Sequence, residues 1–191
     1  MYLNWNDVWG VLSLYCRGYG RQLYLREVSR LAGLPLANVQ RAAGSLVKRR
    51  ILKSHVRGRQ KYFSLNLDNA QTRLALLQVE VWRTSLFLEK YPQCKTFVKG
   101  TVHIPVVVFG SFAALAADEN SDLDVLTVCG KGETLPLHLI PYQVHEVRVT
   151  KTAFDKALEG QEALLKEIEE NHVILSNHSF YVDMMWSRYG P

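Results

Sequence analysis

The 191 residues predict a mixed α/β (α+β) chain in two functional parts, and three observations carry that expectation. Helical periodicity followed by a basic hairpin fills the first third, whereas strand and helix patterns alternate from residue 104 onward. Charge divides the same way. Residues 1–66 hold twelve Lys and Arg against Asp7 and Glu27, a net of +10, and the remainder holds eleven basic against sixteen acidic residues, a net of −5. Finally, residues 106–128, VVVFGSFAALAADENSDLDVLTV, set a Gly-Ser pair after one apolar run and Asp-Leu-Asp before the next.

Trp5, Val8, Trp9, Leu12, Tyr15 and Cys16 recur at helical spacing and predict a core-facing first helix. Gly18-Tyr-Gly20 ends it. Tyr24 opens a second short helical segment that Gly33 can close in a left-handed cap. After Leu34-Pro35-Leu36, a third helix is expected from about Ala37 to Arg49, with Val39, Ala43, Leu46 and Val47 inward. Two short strands follow, from Ile51 to Val56 and from Lys61 to Asn66, with Arg57-Gly58-Arg59-Gln60 as the tip between them.

Helix–turn–helix followed by a hairpin with a basic tip resembles the winged helix-turn-helix domains of archaeal and bacterial regulators, over residues 1–67. The resemblance implies binding of duplex DNA. Arg57, Arg59 and Lys61 would then meet phosphate or the minor groove. Asn38, Gln40, Arg41, Ser45 and Lys48 lie on the exposed side of the third helix, with Asn38, Gln40 and Arg41 best placed for base edges. A protein-binding role is the other use of such a domain. Arg49 and Arg50 end a helix, where cations also complement its dipole.

Asp68-Asn69 can cap a long helix reaching about Lys90, within a connector over 68–93. Leu74, Leu77, Val81 and Leu88 form its apolar stripe, widened by Leu76, Trp82, Leu86 and Phe87. A stripe this wide predicts burial on more than one side, against both parts of the chain or against a second copy. Winged-helix regulators commonly dimerise through an added helix, so the resemblance implies a homodimer.

The segment 94–191 carries the chemistry. Alternate strand residues share a face, so Asp122 and Asp124 are expected to project together, roughly 7 Å apart along the chain. Two carboxylates beside a Gly-Ser turn suit Mg²⁺ and a nucleoside triphosphate. Further strands are expected over Tyr142–Val149 and Val173–Leu175, and helices over Thr152–Leu158, Gln161–Asn171 and Phe180–Tyr189. Two glycines and two prolines between Gly130 and Pro141 exclude a long helix there.

An apolar strand, Gly-Ser, a short helix, Ser-Asp-x-Asp and a second strand resemble the polymerase-beta-type nucleotidyltransferases, in particular their minimal branch. The resemblance implies a small mixed sheet flanked by helices. It implies that Gly110, Ser111 and Ser121 bind the nucleotide, that Asp122 and Asp124 bind Mg²⁺ (or Mn²⁺), and that a third carboxylate stands on the next strand. Glu146 is the candidate for that third metal ligand and catalytic group, its other reading being a surface carboxylate on an edge strand paired with Arg148 or a neighbour, and His145 is expected on the opposite face. The family's usual Arg-Gly after Gly-Ser is replaced by Ala114-Leu115, which removes a cation from the neighbourhood of the phosphates.

The function implied is transfer of a nucleoside monophosphate from an NTP to an acceptor. Some minimal nucleotidyltransferases are antitoxins that modify a partner protein, so a protein hydroxyl on a toxin partner is one acceptor class. The alternative is a DNA-binding regulator whose second part senses nucleotide without turnover. Cys16, Cys94 and Cys129 form no Cys-x-x-Cys pair, and Cys16 and Cys129 sit in apolar surroundings as small buried hydrophobes. Without a basic-then-apolar leader or an 18-residue apolar run, a cytoplasmic protein without membrane contact is expected.

Overall fold

The structure is a computed structural model and describes residues 4–101, 103–130, 132–160 and 163–190. It is mixed α and β, with two separate small sheets among the described residues. The chain divides into two compact units, Met1–Val79 with Met185–Pro191, and Glu80–Met184. This division differs from the three expected segments: it falls inside the long helix, and the end of the chain returns to the first unit.

In the first unit, α1 (Trp5–Cys16), α2 (Leu25–Ala32) and α3 (Leu36–Lys48) precede a hairpin of β2 (Leu52–Arg57) and β3 (Gln60–Leu65). Asn4 caps α1 by accepting from the Asn6 amide, and Gly33 closes α2 at φ +64°, as its position predicts. The core joins Val8, Val11, Leu12 and Tyr15 of α1 to Val28, Val39, Ala43 and Leu46. The buried Tyr15 hydroxyl donates to the Phe63 carbonyl, so burial of the ring leaves no orphaned donor. Trp5, expected inside, is 49% exposed and lies edge-on to Trp9, with the Arg49 guanidinium 5.1 Å above it. Ala42 takes the buried place expected of Val47, which is half-buried.

The hairpin loop is Gly58-Arg59, with positive φ at Gly58, and it holds Arg57 opposite Gln60. A third strand, β1 (Leu23–Tyr24), adds to β3, giving the order β1-β3-β2. Two residues are too few to show an alternation in sequence.

Helix α4 (Ala70–Lys90) begins at Asn69, whose side chain accepts from the Gln71 amide. Its buried side chains include Thr72, Leu76, Val79, Glu80, Thr84 and Phe87, while Leu74 and Val81 are exposed. The expected stripe is thus rotated. Two threonines and a glutamate occupy buried positions because they are satisfied there: Thr72 hydrogen-bonds the Ile51 carbonyl, Thr84 the Ile174 carbonyl, and Glu80 pairs with Arg83 and His172.

In the second unit, short α5 (Lys95–Gly100) leads to β4 (Val106–Phe109), α6 (Gly110–Ala113), β5 (Leu123–Val128) and β6 (Val144–Val149). Then come α7 (Lys151–Gly160), α8 (Ala163–Glu170), β7 (His172–Ser176) and α9 (His178–Tyr189). Gln161, the first residue of the helix expected before β7, lies outside the described residues. The sheet order is β6-β5-β4-β7, with β5 parallel to β6 and the other pairs antiparallel. Val106, Val108, Leu123, Val125 and Val173 face a core shared with Phe87, Phe97 and Phe112. Val107, Leu126 and Ile174 alternate to the other side and are buried as well, so β4 and β5 are covered on both faces.

Candidate functional site

The end of β4 brings the Gly-Ser pair against the aspartates. Gly110 has φ +68°, and a Cβ placed on it would lie 2.6 Å from Asp124 Oδ2. Only glycine allows both the backbone turn and the approach of that carboxylate. Asp124 is the second residue of β5, opposite Phe109 in register, and its side chain is 29% exposed. Asp122 lies just before the strand and is exposed. Ser111 is half-buried in the single turn of α6. The Ser121 hydroxyl donates to Asp118 Oδ1 at 2.9 Å and accepts from the Asp118 amide, so it organises the loop before β5.

The expectation for the third strand is corrected. Parallel pairing sets His145 beside Asp124 and Glu146 beside Val125. His145 Nδ1 is 3.1 Å from Asp124 Oδ1, on the same face of the sheet. Glu146 faces the other way, where it accepts from Thr127 Oγ1 at 2.7 Å and from the Arg148 guanidinium. The three carboxylates therefore do not assemble. Among the described residues, no three His, Cys, Asp or Glu side chains form a group able to hold a metal. A register shift of one residue would exchange His145 and Glu146 between the two faces, and local spacing does not fix that register.

The departure at Ala114-Leu115 has a structural counterpart. Leu115 adopts φ +58°, the left-handed conformation that a glycine would take more easily. Its carbonyl accepts from Lys90 Nζ, so a cation from the end of α4 reaches this turn although the expected arginine is absent. Lys90 is far from the motif in sequence, and nothing local to the motif points to it.

Beneath the site, Phe112 packs against Tyr91 and Tyr142, with ring centroids 4.9 and 4.8 Å apart. Burial raises the Tyr142 hydroxyl pKa and pushes the nearby Cys94 thiol up to about 11. Cys16, Cys94 and Cys129 are all buried. A separate polar network lies at the start of β7. His172 Nε2 is 3.0 Å from Glu80 Oε1, and Arg83 Nη1 donates to Glu80 Oε2 at 2.8 Å.

On the first unit, Gln40, Arg41 and Lys48 are exposed along α3, and Arg57, Arg59 and Lys61 are exposed at the hairpin tip. Ser45 is half-buried. Asn38 is tied down: it donates to Asp7 Oδ2 at 3.0 Å and accepts from Arg41 at 2.6 Å. It therefore orients Arg41 rather than standing free for a base edge. No described helix is long and apolar enough to cross a membrane. Neither a family model, nor a curated protein, nor a solved structure matches this chain.

Proposed function

We propose that the second unit is a metal-dependent nucleotidyltransferase and that the first is a winged helix-turn-helix that holds duplex DNA. The observation that carries the enzymatic reading is the close approach of Asp124 to Gly110, which joins the two halves of the Gly-Ser and Ser-Asp-x-Asp pattern at the end of two paired strands. Asp122 and Asp124 would hold Mg²⁺ or Mn²⁺, with His145 where the third donor was expected. One or two carboxylates with substrate phosphates are the usual Mg²⁺ environment, so a complete protein cage is not required. When bound, the cation neutralises phosphate charge and polarises the phosphorus.

The chain's own residues supply the rest. The turn at Gly110 and Ser111 allows the phosphates to approach the backbone, and Lys90 adds positive charge at Leu115. An acceptor oxygen attacks the α-phosphorus, the bond to pyrophosphate breaks, and the acceptor proton passes to water. A protein hydroxyl, on a toxin partner for example, is the acceptor class that the resemblance suggests. Glu146 is held by Thr127 and Arg148 on the other face, and this reading assigns the metal to Asp122 and Asp124 without it.

The DNA reading rests on exposed basic and polar side chains along α3 and the tip of the hairpin, on a segment of net charge +10. Exposed Leu74 and Val81 lie on one side of α4, seven residues apart, and are what that helix offers to a second copy in a homodimer. The placement of Glu146 on the face away from Asp124 favours one alternative, a DNA-binding regulator that senses nucleotide without transferring it.

Incubation with each labelled NTP and Mg²⁺ or Mn²⁺, with and without cell extract, separates the two. Labelled product and pyrophosphate support transfer. Metal-dependent nucleotide binding without product supports sensing, and absence of both defeats the nucleotide reading.

A further inference from the structure

The outer face of the β1-β3-β2 sheet carries a feature that the duplex reading does not use. Its inner face buries Leu23, Leu52, Phe63 and Leu65. On the outer face, strand pairing sets Tyr24, Tyr62 and His55 in one row across all three strands. The Tyr24 and Tyr62 centroids are 5.9 Å apart, edge to face. The Tyr62 and His55 rings are 5.6 Å apart and nearly parallel, at 14°. His55 is exposed, and both tyrosines are half-exposed.

Cations border this row. Arg57 lies one row toward the hairpin tip, on the same face as His55, and pairs in register with Gln60. At the other end, Tyr24 lines a surface cavity of about 400 Å³ together with Arg26 and Arg59, while Lys61, which also lines it, belongs to the inner-face set and reaches over the Phe63 ring. Among the described residues, no carboxylate forms an ion pair with any of these four cations. Cross-strand aromatic pairs do stabilise hairpins. A purely structural row would need neither the exposed imidazole nor arginines at both ends.

We propose that this face binds an unpaired nucleic-acid strand, with bases stacked on the His55–Tyr62 row and phosphates directed to Arg57 and the basic cavity. The chemistry selects against an intact duplex, whose base faces are covered by their neighbours and which offers only edges and backbone. An unpaired strand exposes base faces to aromatic rings and phosphates to cations, the two features present here. The inference is independent of nucleotide transfer. Its stacking residues are distinct from those assigned to base edges on α3, whereas Arg57 and Arg59 are shared with the duplex reading.

The test is fluorescence anisotropy on the full chain with labelled oligo(dT), oligo(U) and a blunt duplex. Both single strands, or one of them, are expected to bind, and the stronger of the two identifies DNA or RNA as the source. Tyr62→Ala and His55→Ala should each weaken that binding about 5- to 150-fold, the range for loss of one stacked base. Tyr62→Phe should retain it, because the ring face remains. Circular dichroism of Tyr62→Ala matching the wild type shows that the sheet is intact. Photocrosslinking of an iodouridine-substituted strand to the wild type gives a readout without any variant, and should map to the peptide containing Tyr62. Absence of single-strand binding at low salt, equal binding by wild type and Tyr62→Ala, or a crosslink confined to other peptides would overturn the proposal.

Discussion

The two units place their candidate functional groups in opposite ways. In the first, Gln40, Arg41, Arg57 and Arg59 stand exposed on a helix and a hairpin tip whose cores lie on the other side. In the second, Asp124 is half-buried and fitted against a glycine that has no room for a methyl group. An exposed cation acts through its charge and tolerates a change of neighbour. A fitted carboxylate acts through position, and position depends on strand register and on the groups that hold the strands. Substitutions in the first unit should therefore change binding at little cost in stability, whereas those in the second should couple the two.

The largest effect that tests this contrast is Glu80→Ala. It would leave Arg83 and His172 facing an empty buried position, and about 3–5 kcal/mol of stability should be lost. Urea unfolding followed by circular dichroism reads it; a change below about 1 kcal/mol would show that surface and interior charges are equivalent here. Gly110→Ala comes next. It forces an L side chain into positive φ and against Asp124, at a cost of about 1–3 kcal/mol, and should displace the carboxylate and abolish metal-dependent NTP binding.

Asp124→Asn should abolish that binding without a comparable loss of stability, and Glu146→Gln should leave it intact. Calorimetry with NTP and Mn²⁺ reads both. If Glu146→Gln removes the heat instead, Glu146 takes part in binding the metal-bound nucleotide.

In the first unit, Arg57→Ala with Arg59→Ala should lower the slope of log affinity against log salt by about 2 units on any duplex, with no shift in the unfolding midpoint. Arg41→Ala should instead alter sequence preference, by about 1–3 kcal/mol at the affected base pair.

The smallest expected effect is a pH dependence of the second unit. Burial lowers the His178 pKa, with Glu80 opposing it. The unfolded chain therefore takes up this proton more readily than the folded one. Stability is full above the ordinary histidine value near 6.5 and declines as pH falls below it, until the lowered folded value is passed. His178→Gln should flatten that part of the profile; an unchanged profile would assign the dependence to other groups.

Sequence periodicity alone determined much of the architecture. The three N-terminal helices, the left-handed cap at Gly33, the hairpin tip and the strand–Gly-Ser–strand order follow from local spacing and backbone preference, which act over a few residues. The phase of α4 did not follow. Periodicity assigns apolar side chains inward, and Thr72, Glu80 and Thr84 are buried only because partners distant in sequence satisfy them. Strand β1 was invisible because two residues carry no pattern.

The identity of the group beside Asp124 was the decisive tertiary choice. Val144-His-Glu-Val-Arg-Val149 reads as a strand in either register, and the long connection from β5 leaves the register open. Parallel pairing with β5 selects His145 for the face of Asp124 and sends Glu146 to Thr127 and Arg148. A period of two decides which residues share a face; only the packed neighbouring strand decides which face meets the site.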